Sequence, residues 1–189
     1  NRHSFTQKIY WLIDPIDGTS SFINKKKGYT INIALISNGT PALGFIANPP
    51  SNTIWYSFNN EAFVYNNNIN KKINTNKNRI NNLRMILSRN LDTQTNALAN
   101  KIKPSKIEHY SSSIKFCKIA EGNADIYPRL KSISKWDIAA GDSILRASGG
   151  VVFDINGKNF NYSTPTIKTG KFFALSSKLI WKNVIINNL

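Results

Sequence analysis

The sequence predicts a layered protein of mixed α/β class, on three observations. The first third holds short runs rich in β-branched and aromatic residues, separated by Asn, Gly and Pro, as in paired strands. From residue 84 onward such runs alternate with segments of helical period. Hydrophobic residues make up 41% and aromatic residues 11% of a 189-residue chain, enough for a sizeable core and too many for a disordered one.

The strands of the first third are read in order. YWLI (10–13) is a short apolar strand, ending near Asp14 because Pro15 cannot donate to a ladder. YTINIALI (29–36) and ALGFIANP (42–49) flank an Asn-Gly turn and form a hairpin. TIWYSF (53–58) and EAFVYN (61–66) continue the meander. The polar tract 66–82 has little to bury and reads as a solvent-facing hairpin end or linker.

The second part begins with a strand, RMILS (84–88), and a helix, DTQTNALANKI (92–102), capped by Asp92. SSIKFCKIAEG (112–122) is helical, with Gly122 as its stop, and ADIYPRL (124–130) is a strand. WDIAAGDSILRASGG (136–150) reads as a helix opened by Asp137 and closed by Gly149-Gly150. VVFDINGKNFNY (151–162) reads as a hairpin around Asn156-Gly157, FFALSS (172–177) as a strand and KLIWKNVII as a final helix.

Cys117 is the single cysteine, so no internal disulfide forms and a reducing compartment is the simplest reading. No apolar run reaches ~18 residues, so no membrane-spanning helix is expected. A cytoplasmic location follows as an expectation, with peripheral association at the inner membrane left open. The chain opens with NRHSF rather than methionine, and its charged motif arrives almost at once, so an upstream segment is expected. The net charge of +15 fits either an anionic partner or a compositional bias toward Asn, Lys and Ile. The lysines are scattered rather than striped, which favours bias, and no nucleic acid is expected as partner.

The chemistry concentrates in WLIDPIDGTSSF (11–22). Asp14 and Asp17 lie on a turn after an apolar strand, where their carboxylates can converge. Oxygen ligands of this kind suit hard cations such as Mg²⁺. Gly18, Thr19 and Ser20 then offer backbone N–H groups at a helix start, a cradle for phosphate. An ordinary Asp-Pro turn with Asp17 as a helix cap is the plain alternative. An EF-hand is excluded, because Ile16 and Gly18 occupy positions that would need side-chain ligands. Far downstream, Trp136-Asp137 opens a small-residue helix that can aim a third carboxylate at a metal.

DPIDGT, WDIAAG and a following Gly-Gly together resemble the inositol monophosphatase superfamily of Mg²⁺-dependent, lithium-sensitive phosphatases. Within it the chain is most similar to the bacterial 3'(2'),5'-bisphosphate nucleotidase branch. The likeness runs through YWLIDPIDGTSSFI, YTINIALISNGTPALGFIANP, SSIKFCKIAEGNADIYPR and KWDIAAGDSILRASGG. It implies an αβαβα sandwich of the sugar-phosphatase type, lacking its N-terminal helical segment. Residues 1–82 would then be the remainder of a β-meander domain for metal and phosphate, and residues 83–189 an α/β substrate domain.

The resemblance also implies a site. Asp14, the Ile16 carbonyl, Asp17 and Asp137 match metal ligands for two or three Mg²⁺ ions. Thr19 matches the threonine that helps activate water, with Asp17 beside it. Gly18, Thr19 and Ser20 match the groups that hold the scissile phosphate, and Ser88, Ser113, Lys115, Arg129 and Asp137 match substrate contacts. Arg129 stands where inositol phosphatases place a glutamate, and an arginine suits a second phosphate. Leu91 and Ser111 depart from the nucleotidase pattern, replacing a histidine and a glycine. The segment implied upstream would supply roughly two helices, a glutamate ligand and a carboxylate that assists Thr19.

The expected activity is hydrolysis of 3'-phosphoadenosine 5'-phosphate, a small nucleotide bisphosphate, to AMP and phosphate, as in sulfur metabolism. The competing readings are an inositol monophosphatase or broad sugar phosphatase, and a catalytically impaired fragment of the family or a basic nucleic-acid-binding module.

Overall fold

The computed structural model describes residues 8–189. Six antiparallel strands form the first sheet in sequence order: β1 (Ile9–Asp17), β2 (Thr30–Ser37), β3 (Thr40–Asn48), β4 (Thr53–Phe58), β5 (Glu61–Asn66) and β6 (Ile69–Ile73). A short helix, α1 (Thr19–Ile23), lies between β1 and β2. Three of the hairpins are closed by Asn38-Gly39, Asn59-Asn60 and Asn67-Asn68, all at positive φ. Asparagine tolerates that region better than other side-chain-bearing residues, so part of the asparagine excess closes turns.

β6, Ile69–Ile73, lies within the tract 66–82 read as a hairpin end or linker. It is an edge strand with the burial pattern of a solvated one: only Ile73 is buried, and two lysines face outward.

The second sheet contains β7 (Arg84–Ser88), β8 (Lys106–Tyr110), β9 (Ile126–Arg129), β10 (Val151–Asp154) and β11 (Phe172–Leu175), in the order β10-β11-β9-β7-β8. β7 runs parallel to β8 and β9, whereas β11 is antiparallel to both its neighbours. β10 therefore does not form the expected hairpin around Asn156-Gly157. Asp154 Oδ1 accepts the amides of Asn156 and Lys158, which curls the turn, and a single bridge from Phe153 to Asn159 remains. β8, which the sequence reading passed over, has only half-buried and exposed residues and so lacks an apolar signature.

Four helices complete the layers: α2 (Thr93–Ile102), α3 (Ile114–Ala120), α4 (Ala139–Ala147) and α5 (Lys178–Ile180). Asp92 caps α2, its side chain accepting the Thr95 amide at 2.9 Å. The chain after α5 continues through a π turn at Trp181–Ile185 and a 3-10 turn at Ile186–Asn188, rather than the regular final helix expected.

α3 and α4 lie between the two sheets. Their core joins Leu12, Ile36, Ile46 and Trp55 of the first sheet to Phe116, Ile144, Tyr127 and Phe172. Each such side chain contributes about 1.5–3 kcal/mol by leaving water. The helices touch closely enough that a Cβ at Gly141 would sit 2.4 Å from the Phe116 ring. A second cluster, with Leu98, Leu87, Phe173 and Ile180, seals α2 and α5 onto the far face of the second sheet. The outward face of the first sheet carries Trp11, Ile13, Phe45 and Ile54, and no element among the described residues covers it. No helix among the described residues is long and apolar enough to cross a membrane.

Candidate active site

Asp14 and Asp17 are an odd number of residues apart and in a regular strand would point to opposite faces. The pairing with β2 shows why they do not. Asp14 sits opposite Asn32 and Asp17 opposite Thr30, so three steps on β1 match two on β2. The extra residue is a bulge at Pro15-Ile16, where the ladder lacks the proline N–H. Pairing resumes at Asp17, so β1 runs three residues beyond the end expected from the sequence. The bulge reverses the parity and puts both carboxylates on the inward face. Asp14 Oδ1 stabilises it by accepting the Ile16 amide at 3.0 Å.

Gly18 follows at φ 81, where a Cβ would lie 2.9 Å from the Gly28 carbonyl. Only glycine fits both conditions, and it turns the chain into α1. Ser21 and Phe22 make the first helical hydrogen bonds, to the Gly18 carbonyl. The amides of Thr19 and Ser20 thus have no acceptor within the helix. Thr19 Oγ1 donates to the Ile16 carbonyl at 3.2 Å.

Asp137 arrives from the other end of the chain. It is not the N-cap expected for the helix. Ser134 caps a 3-10 turn, Lys135–Asp137, and Asp137 Oδ2 accepts the Ser134 amide at 2.8 Å in a capping box. α4 begins only at Ala139. This turn fixes the third carboxylate, and oxygens of Asp14, Asp17 and Asp137 come within 4.8 Å of one another.

The electrostatics of that cluster favour a cation. Burial, then the facing Asp17 and Asp14 carboxylates, push the Asp137 carboxyl up to about 7. Burial and Asp17 also raise Asp14. Three converging acids resist full ionisation unless positive charge joins them, and an all-oxygen set fits a hard divalent ion.

Two members of the triad, Asp17 and Asp137, line a cavity of about 410 Å³ together with Gly18 and Ser20. Ser88, Lys115 and Arg129 line it as well. Arg129 Nη1 donates to Ser88 Oγ at 3.0 Å, while its buried Nε has no partner among the described residues. Lys115 is 5% exposed; its ammonium donates to the Ser112 carbonyl at 2.5 Å and lies 5.1 Å from the centre of the Tyr127 ring. Burial lowers its pKa to about 8, and nearby Arg129 pushes the same way.

Ser113 and Thr19 are the exceptions among the expected substrate contacts. Thr19 is exposed on α1 and does not line the cavity. Ser113 lies on the buried side, behind Asp17, and does not line it either. Ser111 does line it, and Leu91 packs into the outer core. Sequence reasoning passed over Asn32, Lys26, Arg89 and Tyr127. Asn32 had a readable signal, the one amide in a strand whose central residues are otherwise apolar. Lys26, Arg89 and Tyr127 line the cavity through loop and strand placement that no local pattern encodes.

Comparison with known proteins agrees with this geometry. The profile of the inositol monophosphatase family matches residues 2–184. The chain is 43% identical over 155 residues to the 3'(2'),5'-bisphosphate nucleotidase CysQ of Buchnera aphidicola, covering 82% of this chain and 58% of the relative. It is 34% identical over 154 residues to the protein of the same name from Escherichia coli K12, covering 82% and 62%. The chain thus spans about three fifths of the length of these curated relatives. Among solved structures, CysQ from Bacteroides thetaiotaomicron superposes with a TM-score of 0.81 at 27% identity, over 89% of this chain and 70% of the other.

Proposed function

The chain belongs to the inositol monophosphatase family, and on that premise we propose that it carries the site of a Mg²⁺-dependent 3'(2'),5'-bisphosphate nucleotidase. The substrate is 3'-phosphoadenosine 5'-phosphate, and the products are AMP and phosphate. The observation that carries this reading is the pairing of opposites in one cavity. Asp17 and Asp137 of the carboxylate triad line it, and so do four cationic residues, among them the buried Lys115 and the half-buried Arg129. A monophosphate needs only the metal end. A bisphosphate gives the cations a partner. The relatives named as bisphosphate nucleotidases support the same choice.

Asp14, Asp17, Asp137 and the Ile16 carbonyl would hold two or three Mg²⁺ ions. Bound there, the metal supplies Lewis acidity, water activation and charge for the leaving oxygen. The chain's own groups do the rest. Gly18, Thr19 and Ser20 present amides and hydroxyls to the scissile phosphate. Thr19 Oγ1 donates its hydrogen bond to the Ile16 carbonyl, so its lone pairs are free to accept one from the attacking water and orient it. Ser88, Lys115 and Arg129 hold the second phosphate, with Ser113 supporting Asp17. We assign metal and phosphate binding chiefly to residues 1–82 and substrate choice to residues 83–189. Lithium inhibition, a cytoplasmic location and a place in sulfur metabolism belong to the same proposal.

The test is phosphate release by the full-length protein with Mg²⁺, comparing 3'-phosphoadenosine 5'-phosphate with inositol 1-phosphate, with and without Li⁺. Preference for the nucleotide supports the reading. Preference for inositol 1-phosphate overturns the substrate and keeps the metal site. No turnover of either overturns both.

A further inference from the structure

Asn32 lies on β2 with 1% of its surface exposed. Its Nδ2 donates to Asp17 Oδ2 at 3.2 Å and to Ser113 Oγ at 2.9 Å. Ser113 Oγ in turn lies 2.7 Å from the same Asp17 oxygen and 2.8 Å from the Asp137 carbonyl. Thr30 Oγ1 approaches that oxygen as well, at 3.5 Å. All these donors address Oδ2, and Asp17 Oδ1 accepts from no group among the described residues. The amide orientation follows from charge, because the flipped form would set an oxygen against a carboxylate.

Packing alone does not explain this residue. Its own Oδ1 is buried and has no partner among the described residues, a defect that an apolar side chain at this position would avoid. On the inward face of β2, Ala34 and Ile36 beyond it are apolar, and the one other polar residue, Thr30, also addresses Asp17. The amide is retained where it can reach the carboxylate.

We propose that Asn32 is a positioning residue for the metal site: acting with Ser113, it commits Asp17 Oδ2 to the protein and leaves Oδ1 as a one-oxygen ligand for a divalent cation. Ser113 Oγ, with its single proton, also stands 2.8 Å from the Asp137 carbonyl, which sets the turn that carries the third carboxylate beside Asp17. This inference rests on the reading of the triad as a metal site.

Mn²⁺ is the probe, titrated into the full-length protein without substrate and followed by the resonance signal of the free ion. Asn32→Leu removes the donor and keeps the volume. It is expected to weaken Mn²⁺ binding by roughly 10–100-fold, as loss of a group that orients a ligand does. The KM for substrate at saturating metal should change by less than about 2-fold, a split that general loosening of the fold would not produce. Ser113→Ala should weaken Mn²⁺ similarly, and the double variant should lose less than the product of the two, because both act through one oxygen. A folded Asn32→Leu protein with wild-type Mn²⁺ affinity overturns the proposal. Should that variant not fold, unchanged affinity in Ser113→Ala does the same. Wild-type protein that binds no Mn²⁺ overturns the metal reading itself, and this inference with it.

Discussion

Arg129 on β9 donates from Nη1 to Ser88 Oγ at the end of β7, 3.0 Å away, in the wall of the cavity that also holds Asp17 and Asp137. The hydroxyl holds the guanidinium by a single nitrogen and leaves the rest of its fork available. A hydrogen bond to a charged group is worth ~1.5–3 kcal/mol. Arg129→Met should therefore lower kcat/KM for the bisphosphate by roughly 10–100-fold while leaving a monophosphate substrate nearly unaffected. Equal losses on both substrates would place Arg129 outside the second-phosphate site.

Asp137→Asn separates chemistry from folding. The amide keeps an oxygen to accept the Ser134 amide, so the capping box survives. It also removes one of three mutually repelling acids. Turnover should disappear, while the melting temperature of the metal-free protein holds or rises. A large fall in metal-free stability would show that the carboxylate is structural.

Lys115 sets a pH dependence. Its folded pKa is lowered to about 8 from the usual 10.5. Raising the pH through 8 removes the charge that faces the substrate, whose phosphates are already fully ionised above their second pKa of ~6. KM for the bisphosphate should rise above pH 8 in the wild type and stay level in Lys115→Met. The stability effect runs the other way. Between pH 8 and 10.5 the unfolded chain holds a proton that the native chain has released, so this group's contribution to stability grows across that window. Identical pH profiles for KM in the two proteins would remove Lys115 from substrate binding.

Gly18→Ala tests the turn. The new methyl meets the Gly28 carbonyl at 2.9 Å in a backbone region that side chains avoid. The cost should be about 1–3 kcal/mol, read from the denaturant midpoint. Activity should fall further than that loss explains, because Thr19 and Ser20 move with the turn. Full activity at reduced stability would mean that the α1 amides do not contact the phosphate.

Much of this protein could be read without coordinates. β4, β5 and β7 fall at the bounds their patterns predict, because each couples an apolar run to a clear turn signal. Neither the proline turn with Asp14 and Asp17 nor the tryptophan-led start with Asp137 is telling alone; the two motifs together, and the family they resemble, marked the three acids. Strands without an apolar signature escaped. β6 and β8 are held by ladder bonds to neighbours and bury little, so composition does not mark them.

What the tertiary structure alone decided is how the marked residues meet. The DPID spacing names two acids but not a common face; the bulge opposite Asn32 and Thr30 supplies it by reversing the strand's parity. The WD motif names a third acid, but a Ser134-capped turn, not a helix cap, aims it. Ser113, which precedes α3, and Asn32 of β2 meet beside Asp17 only once the two sheets and the helices between them have packed. Local propensity acts over a few residues and can be read along the chain. Convergence of oxygens from positions 14, 17 and 137 depends on register and layer packing, which exist only once the whole chain has closed on its core.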